Sequence, residues 1–355
     1  MIAPSTKPRT WHTEATSTSV IRHSAMLLHR RLTVVTLTTV ILLVAVATIT
    51  MMTGRYPLAP ADILAVLTGG GNQLDSYILF GVRLPRLAIT ILAGVALGLS
   101  GALLQSLLGN PLASPDLLGI SGGAAVAAII VTLGVGATGL AVTAAALMGA
   151  TLVAVLILAA ARHGQGTGHR LVLTGVGFAF LASAIIGFMI KRAQINEAQS
   201  ALFWTVGSVA NSTWTSVIIV ALTVAIALPG VVYASRVLPI LQLGSATANG
   251  LGLADARARR VVVATAVILA AGAVSVVGPI SFVALCAPAI ARRTVGRGSN
   301  ALTVSALGGA LMLVVSDAAA QHLFAGAVPT GVITGVIGAP YLLWLLATPT
   351  KGTAL

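Results

Sequence analysis

Chemistry needs ionisable or nucleophilic side chains held close together, and this chain has few of them. Its 355 residues include seven Asp and Glu, six His and a single Cys, Cys286. Five of the acids, Glu14, Asp62, Asp75, Glu197 and Asp255, fall in stretches that read as loops or tails. The other two stand at the ends of apolar runs. Asp116 follows Pro115 where a helix should begin and reads as a capping carboxylate; Asp317 reads as a structural polar contact. The sequence contains no GxxxxGK[ST] phosphate loop, no HExxH and no CxxC, so it lacks those devices for holding ATP, a catalytic zinc or a redox disulfide. One cysteine in an apolar run excludes a disulfide framework and a cysteine metal site. Enzymatic function therefore has no support. Ion-coupled transport would call for titratable groups in mid-membrane, and only Asp116 and Asp317 come near that description.

What the chain does have is apolar length. It is 57% hydrophobic and 8% charged, with a mean hydropathy of +1.02, far from the roughly one-quarter charged composition of soluble domains. From Leu87 to Leu108 nothing is charged; at about 1.5 Å per residue that run reaches about 33 Å, enough for a hydrocarbon core of about 30 Å. Gly94, Gly98 and Gly101, with Ala96, Ser100 and Ala102, put small residues on adjoining faces, which lets neighbouring helices approach closely. Such a span belongs inside a bundle.

Further spans are expected at 32–52, 84–108, 115–135, 138–161, 170–190, 214–234, 259–277, 281–296, 301–320 and 330–347, about ten in all. The 32–52 run is longer than the 7 to 15 residues of a signal-peptide core and lacks a small-residue cleavage site, so it reads as a retained first helix. Residues 1–31 read as a disordered cytoplasmic tail, 32–347 as the membrane domain and 348–355 as a second cytoplasmic tail. The net charge of +13 does not point to nucleic acid, because the basic residues punctuate apolar segments instead of clustering. With the N-terminus inside, fifteen Lys and Arg fall in inside segments against five outside (Arg55, Arg83, Arg86, Lys191, Arg192), which favours both termini in the cytoplasm.

Two non-membrane segments stand out. Outside, residues 191–214 include Phe203, Trp204 and Trp214, suited to a short interfacial helix. Inside, residues 235–260 read SRVLPILQLGSATANGLGLADARARR, where Leu238, Leu241, Leu243, Leu251 and Leu253 make either a docking surface or an ordinary surface loop. A path lined by small and aliphatic residues has no engine of its own, so work must come from a partner that docks from the cytoplasm.

The motifs RLPR (83–86), SGALLQ (100–105), NPLASPDLLGISGGA (110–124), WTVGS (204–208), LQLGSATANGLGL (241–253), GPISFVALCAPAIAR (278–292) and VPTGVITGVIGAPYLLWLL (328–346) resemble, in the same order, the FecCD or BtuC-like permease subunits of bacterial ABC importers for iron-siderophore complexes, haem and vitamin B12. SFVALCAPAIARR and DAAAQHLF look most like the ferric-catecholate (enterobactin) permeases. The resemblance implies an all-α polytopic membrane protein of about ten transmembrane helices in the bacterial cytoplasmic membrane. It implies a dimer with a second permease subunit, identical or homologous, and two cytoplasmic ATP-binding subunits. An extracytoplasmic siderophore-binding protein would deliver a ferric siderophore from above. No cofactor is expected in the chain itself.

Particular residues acquire roles by the same resemblance. Arg83 and Arg86 would receive carboxylates of the binding protein, since a guanidinium can grip a carboxylate bidentately; read without the resemblance, they are as readily snorkelling anchors. Gln321 stands where the vitamin B12 permease has a further arginine, which argues against that substrate. Asn110 and Leu112, with Thr167 and Gly168 in the run 166–169, would narrow the cytoplasmic exit, Pro111 ending the helix and Asn110 satisfying its last carbonyls. Leu241, Leu243, Gly244, Leu251, Gly252 and Leu253 would form two short coupling helices seated in the ATPase, although Ser245 stands where many relatives carry an acid. Arg292, in a PAIAR run where relatives show PHIAR, is expected to cap its helix on the inside. The function expected is import of a ferric siderophore, the alternatives being import of haem or another metal chelate, or a proton-coupled secondary transporter.

Overall fold

The computed structural model describes residues 14–54, 56–160, 167–296, 301–324 and 327–348, with side chains left out at 14–29, 157–158, 160, 167–172 and 346. Among the described residues the chain is helical, and ten apolar helices follow one another in the expected order: α1 (Glu14–Met52), α4 (Leu84–Leu108), α5 (Ile120–Ile129), α6 (Leu140–Ala160), α7 (Thr167–Arg192), α9 (Trp214–Leu241), α11 (Asp255–Val277), α12 (Val283–Val295), α13 (Ala301–Leu323) and α14 (Thr330–Ala347). Four short helices fill the connections: α2 (Pro60–Leu67), α3 (Gln73–Ser76), α8 (Ile195–Val206) and α10 (Ser245–Gly250). Among the described residues six stretches are long and apolar enough to cross a membrane, and Ile120–Gly134, Leu140–Leu156 and Thr330–Leu345 are shorter apolar helices. The two ends of the bundle are called outer and inner after the orientation expected from the charges.

Burial sorts these helices. The most apolar windows of the run 73–108 and of α11 are each 72% buried, whereas those of α1, α7 and α9 are 6%, 11% and 22% buried. A helix that is apolar all round yet uncovered faces lipid or another subunit; α4 and α11 instead form the centre. Around α4 pack α13, α11, α12 and α9, and the small residues singled out in the sequence are what allow it. A Cβ added at Gly101 would sit 1.7 Å from the Ala284 carbonyl oxygen of α12, and one at Gly98 would sit 2.3 Å from the Ser305 carbonyl oxygen of α13. These are backbone-to-backbone contacts, in which no flexible side chain can give way. Gly101→Val is therefore expected to prevent assembly of the bundle, read as loss of monodisperse protein on size-exclusion chromatography in mild detergent. Gly177→Val in α7, whose added Cβ meets nothing within 4 Å, should behave as wild type.

The structure departs from the sequence reading in several places. Helix α1 begins at Glu14, inside the stretch expected as a disordered tail to residue 31; the tail's first thirteen residues and the C-terminal segment from 349 lie outside the described residues. The span expected at 84–108 does not start at 84: α3, a π-helical segment Tyr77–Arg83 and α4 run on as one helix of 36 residues from Gln73 to Leu108. At the inner end, α9 continues to Leu241 and α11 starts at Asp255, so much of the 235–260 segment is helix end. One short helix, α10, stands where two coupling helices were expected. Helix α12, expected to span from 281 to 296, has only 13 residues and so reaches about 20 Å. Its start is set by Phe282, which has φ 69° and is the only non-glycine residue with positive φ among the described residues.

Candidate functional site

At the outer end, α4 and α13 meet through one carboxylate. Asp317 is buried and accepts from Arg86 Nε (2.9 Å, at Oδ2) and Arg86 Nη2 (2.8 Å, at Oδ1), a bidentate ion pair. Gln321 Nε2, one turn on in α13, donates to the same carboxylate at 2.7 Å, and Thr330 Oγ1, first residue of α14, at 3.0 Å. Four donors thus converge on Asp317 from three helices. Arg83 is held differently: its guanidinium donates to the backbone carbonyls of Met51, at the end of α1, and Tyr56, in the loop that follows. Both arginines line a cavity of about 220 Å³ together with Thr53, Gln321 and Asp317. The wider π-helical turn that ends at Arg83 delivers the pair to that cavity, in keeping with the tendency of such turns to mark functional positions.

This arrangement amends the expectation for the two arginines. Arg86 is already paired with a carboxylate inside the chain, while Arg83, among the described residues, is matched by neutral carbonyls. Asp317, read from the sequence as a structural contact, is the partner that sequence reading did not identify, and Gln321 joins it.

Beside this cluster three motifs close on one another. The Ser208 N–H donates to the Val277 carbonyl at 2.8 Å and the Gly331 N–H to the Gly207 carbonyl at 3.1 Å. A Cβ on Gly331 would stand 1.8 Å from the Val206 carbonyl oxygen, and one on Gly338 would stand 2.3 Å from Phe282 Cβ. The WTVGS, GPISF and VPTG segments are therefore one packed junction, in which α14 crosses the left-handed start of α12. A non-glycine residue in that backbone region costs energy that only surrounding packing can hold.

At the inner end, α4 stops at Gly109, which takes the left-handed conformation (φ 62°). Asn110 does not satisfy the helix carbonyls as expected; its Oδ1 accepts from the Leu112 N–H at 2.9 Å, closing a tight turn. Nor does Asp116 cap α5. Gly119 is the residue before that helix, and Asp116 accepts from the Ser121 hydroxyl. The loop leans on α7, where a Cβ at Gly175 would meet the Leu117 carbonyl oxygen at 2.3 Å. Thr167 and Gly168 open α7 about two turns before that contact, with side chains outside the described residues, as is residue 166 altogether.

The six coupling positions divide. Leu241 is buried and Leu253 packs against the core, so neither faces outward toward a partner. Leu243 and Leu251 are 63% and 64% exposed on either side of α10. Gly244 (φ 96°) and Gly252 (φ 79°) take left-handed turns on the two sides of α10. Next to this segment, Gln242 Nε2 donates to the Ser106 carbonyl at 3.2 Å, tying the end of α9 to the end of α4. Arg292, expected to cap α12, instead reaches α4: its guanidinium donates to Gln105 Oε1, and Gln105 Nε2 in turn donates to the Leu285 carbonyl at 3.0 Å. Among the described residues no three His, Cys, Asp or Glu side chains stand together as metal ligands.

The model of the FecCD transport family matches residues 40–348. The siderophore transport system permease protein YfhA of Bacillus subtilis is 39% identical over 312 residues, covering 85% of this chain and 91% of that protein. The ferric enterobactin transport system permease protein FepG of Escherichia coli is 35% identical over 298 residues, covering 83% and 90%. Among solved structures, a metal-chelate type ABC transporter in an inward-facing conformation superposes with a TM-score of 0.77 at 25% identity, over 89% of this chain and 99% of its own.

Proposed function

The chain belongs to the FecCD transport family, and from that premise we propose that it is the membrane permease subunit of an ABC importer that carries a ferric siderophore into the cell. The observation that supports this most is the unbroken similarity over residues 40–348, with both siderophore-permease relatives matched over about nine-tenths of their length. In this reading both termini lie in the cytoplasm. ATP is hydrolysed by a partner subunit at the inner end, where Leu243 and Leu251 stand uncovered. A binding protein delivers the chelate at the outer end, where Arg83 forms no ion pair among the described residues. Asn110 and Leu112, in the turn after α4, and the start of α7 at Thr167 and Gly168 narrow the exit.

A proton-coupled carrier would need a carboxylate free to load and release a proton along the path. Asp317 is committed to four donors at the outer end, and Asp116 to Ser121 at the inner end, so neither is placed for that work. Reconstitution tests the proposal. The chain is placed in liposomes with its partner permease, the ATPase and the binding protein, and loaded with a radiolabelled ferric catecholate. Uptake is expected with ATP and the full set of partners, and not when ATP is replaced by a non-hydrolysable analogue. Uptake that follows a proton gradient without ATP would overturn it.

A further inference from the structure

The inner end carries a cavity of about 490 Å³ that the transport reading leaves unassigned, set between the ends of α4, α9 and α12 and the start of α13. Its lining is divided. Gln105, Gln242 and Arg292 supply polar groups, while Ala102, Leu238 and Leu302 supply apolar wall. Arg292 is the residue that demands an explanation. Both ion pairs found among the described residues, Arg86–Asp317 and Arg259–Asp255, leave it out, and its side-chain partner is a neutral amide oxygen of Gln105. A guanidinium offers five donors; one such acceptor leaves most of them, and the whole positive charge, unmatched in a recess of the protein. The carboxyl end of α12 offsets about half a charge at most. The site is built for an anion.

The chemistry of that anion follows from its depth and walls. One residue on, Arg293 stacks its guanidinium 4.5 Å from the ring centre of Trp344, an exposed tryptophan on α14. An exposed Trp paired with Arg at a helix end marks the level of the lipid headgroups. At that level the abundant anion is a phosphate diester. The guanidinium fork matches phosphate oxygens, amide groups of Gln105 and Gln242 flank it, and the apolar wall suits the glycerol and first methylenes that follow a lipid phosphate. We propose that this cavity binds the phosphate headgroup of an anionic phospholipid from the cytoplasmic leaflet, one lipid per chain, with Arg292 as its principal ligand. The bound lipid joins the end of α4, beside the Asn110 turn, to the end of α9, where the coupling segment begins. The proposal rests on the membrane orientation given above but not on transport, and its test reads binding alone.

The test uses the full-length chain purified in a neutral detergent. Native mass spectrometry follows titration with phosphatidylglycerol, with phosphatidylcholine, and with inorganic phosphate as a competitor. One phosphatidylglycerol is expected to be retained per chain in preference to phosphatidylcholine. Arg292→Gln should weaken retention by about tenfold, the usual effect of losing a charge-assisted hydrogen bond, and Arg292→Lys by less. Gln242→Leu, at an exposed position, should weaken it about threefold through one lost neutral donor, so the proposal stays testable if Arg292→Gln does not fold. Arg293→Gln, outside the cavity lining, should retain lipid as wild type does. Equal retention of the two lipids, or equal losses in Arg292→Gln and Arg293→Gln, would overturn the site in favour of diffuse surface charge. Full displacement by millimolar inorganic phosphate would make free phosphate, and not lipid, the occupant. Release of the lipid when the ATPase subunit is added would make this recess part of the contact with that subunit in the assembled importer, and would likewise overturn the proposal.

Discussion

Asp317→Ala is expected to destabilise the purified chain by about 3 kcal/mol, toward the low end for breaking a buried ion pair because Arg86 keeps some exposure. The loss is larger than that of a surface pair, worth at most about 1 kcal/mol, because three kinds of donor are stranded at once. Arg86 would hold an unmatched charge between α4 and α13, and the Gln321 amide and Thr330 hydroxyl would lose the acceptor they share with it. Asp317→Asn should cost less, since one oxygen still accepts. The double variant Arg86→Leu with Asp317→Leu should recover much of the loss, because apolar residues of similar volume replace such pairs at little cost. The measurement is the apparent melting temperature of all four proteins in one detergent. Wild-type melting of Asp317→Ala would mean that the pair holds nothing together and that Arg86 is as available to an outside carboxylate as Arg83. The expected result instead places the weight of docking on Arg83, and makes Arg86 a clamp that sets the start of α14.

That pair also shows what the sequence could and could not convey. The spans were legible because each is a local property: an uncharged run of sufficient length announces itself without reference to the rest of the chain. So were the small residues of α4, since a backbone contact needs a glycine whatever it faces, and the short helix α8. The ion pair was not legible. Arg86 and Asp317 are 231 positions apart, and nothing in either neighbourhood names the other; the same holds for Arg292 and Gln105, 187 apart. Asp317 could have been suspected on one ground, that a carboxylate in an apolar helix needs a partner and the outer end offers two arginines. Helix α12, expected at 281–296, starts two residues later because Phe282 takes a left-handed turn where it lies against Gly338 on α14, a long-range contact that its apolar neighbours do not announce. The leucines of 235–260 read alike, as one docking surface or one surface loop, because the segment has no regular period. Only the turns at Gly244 and Gly252 decide which of them face inward.

That division of the leucines makes the second large effect sharp. Leu243→Asp and Leu251→Asp are each expected to leave the melting temperature of the chain within about a degree of wild type, because both side chains already face solvent in the isolated subunit and surface changes of this kind are worth about ±0.5 kcal/mol. In the assembled importer the outcome reverses. A leucine fully buried against a partner contributes about 1.5–3 kcal/mol, and a carboxylate put in its place must also be stripped of water. Each variant should therefore weaken association with the ATPase by roughly 10- to 100-fold and lower ATP-driven uptake at limiting ATPase in proportion, the two together abolishing it. Leu241→Asp is the contrast. Its side chain is 3% exposed, so it should fail by misfolding before any partner is added. Pull-down of the ATPase by the reconstituted chain, with melting and uptake measured on the same preparations, separates the two kinds of failure. Leu243 and Leu251 variants that bind the ATPase and transport like wild type would remove α10 and its flanks from the coupling surface. A loss of melting stability equal to that of Leu241→Asp would show that these two leucines belong to the fold of the chain and not to its contact with the subunit that drives it.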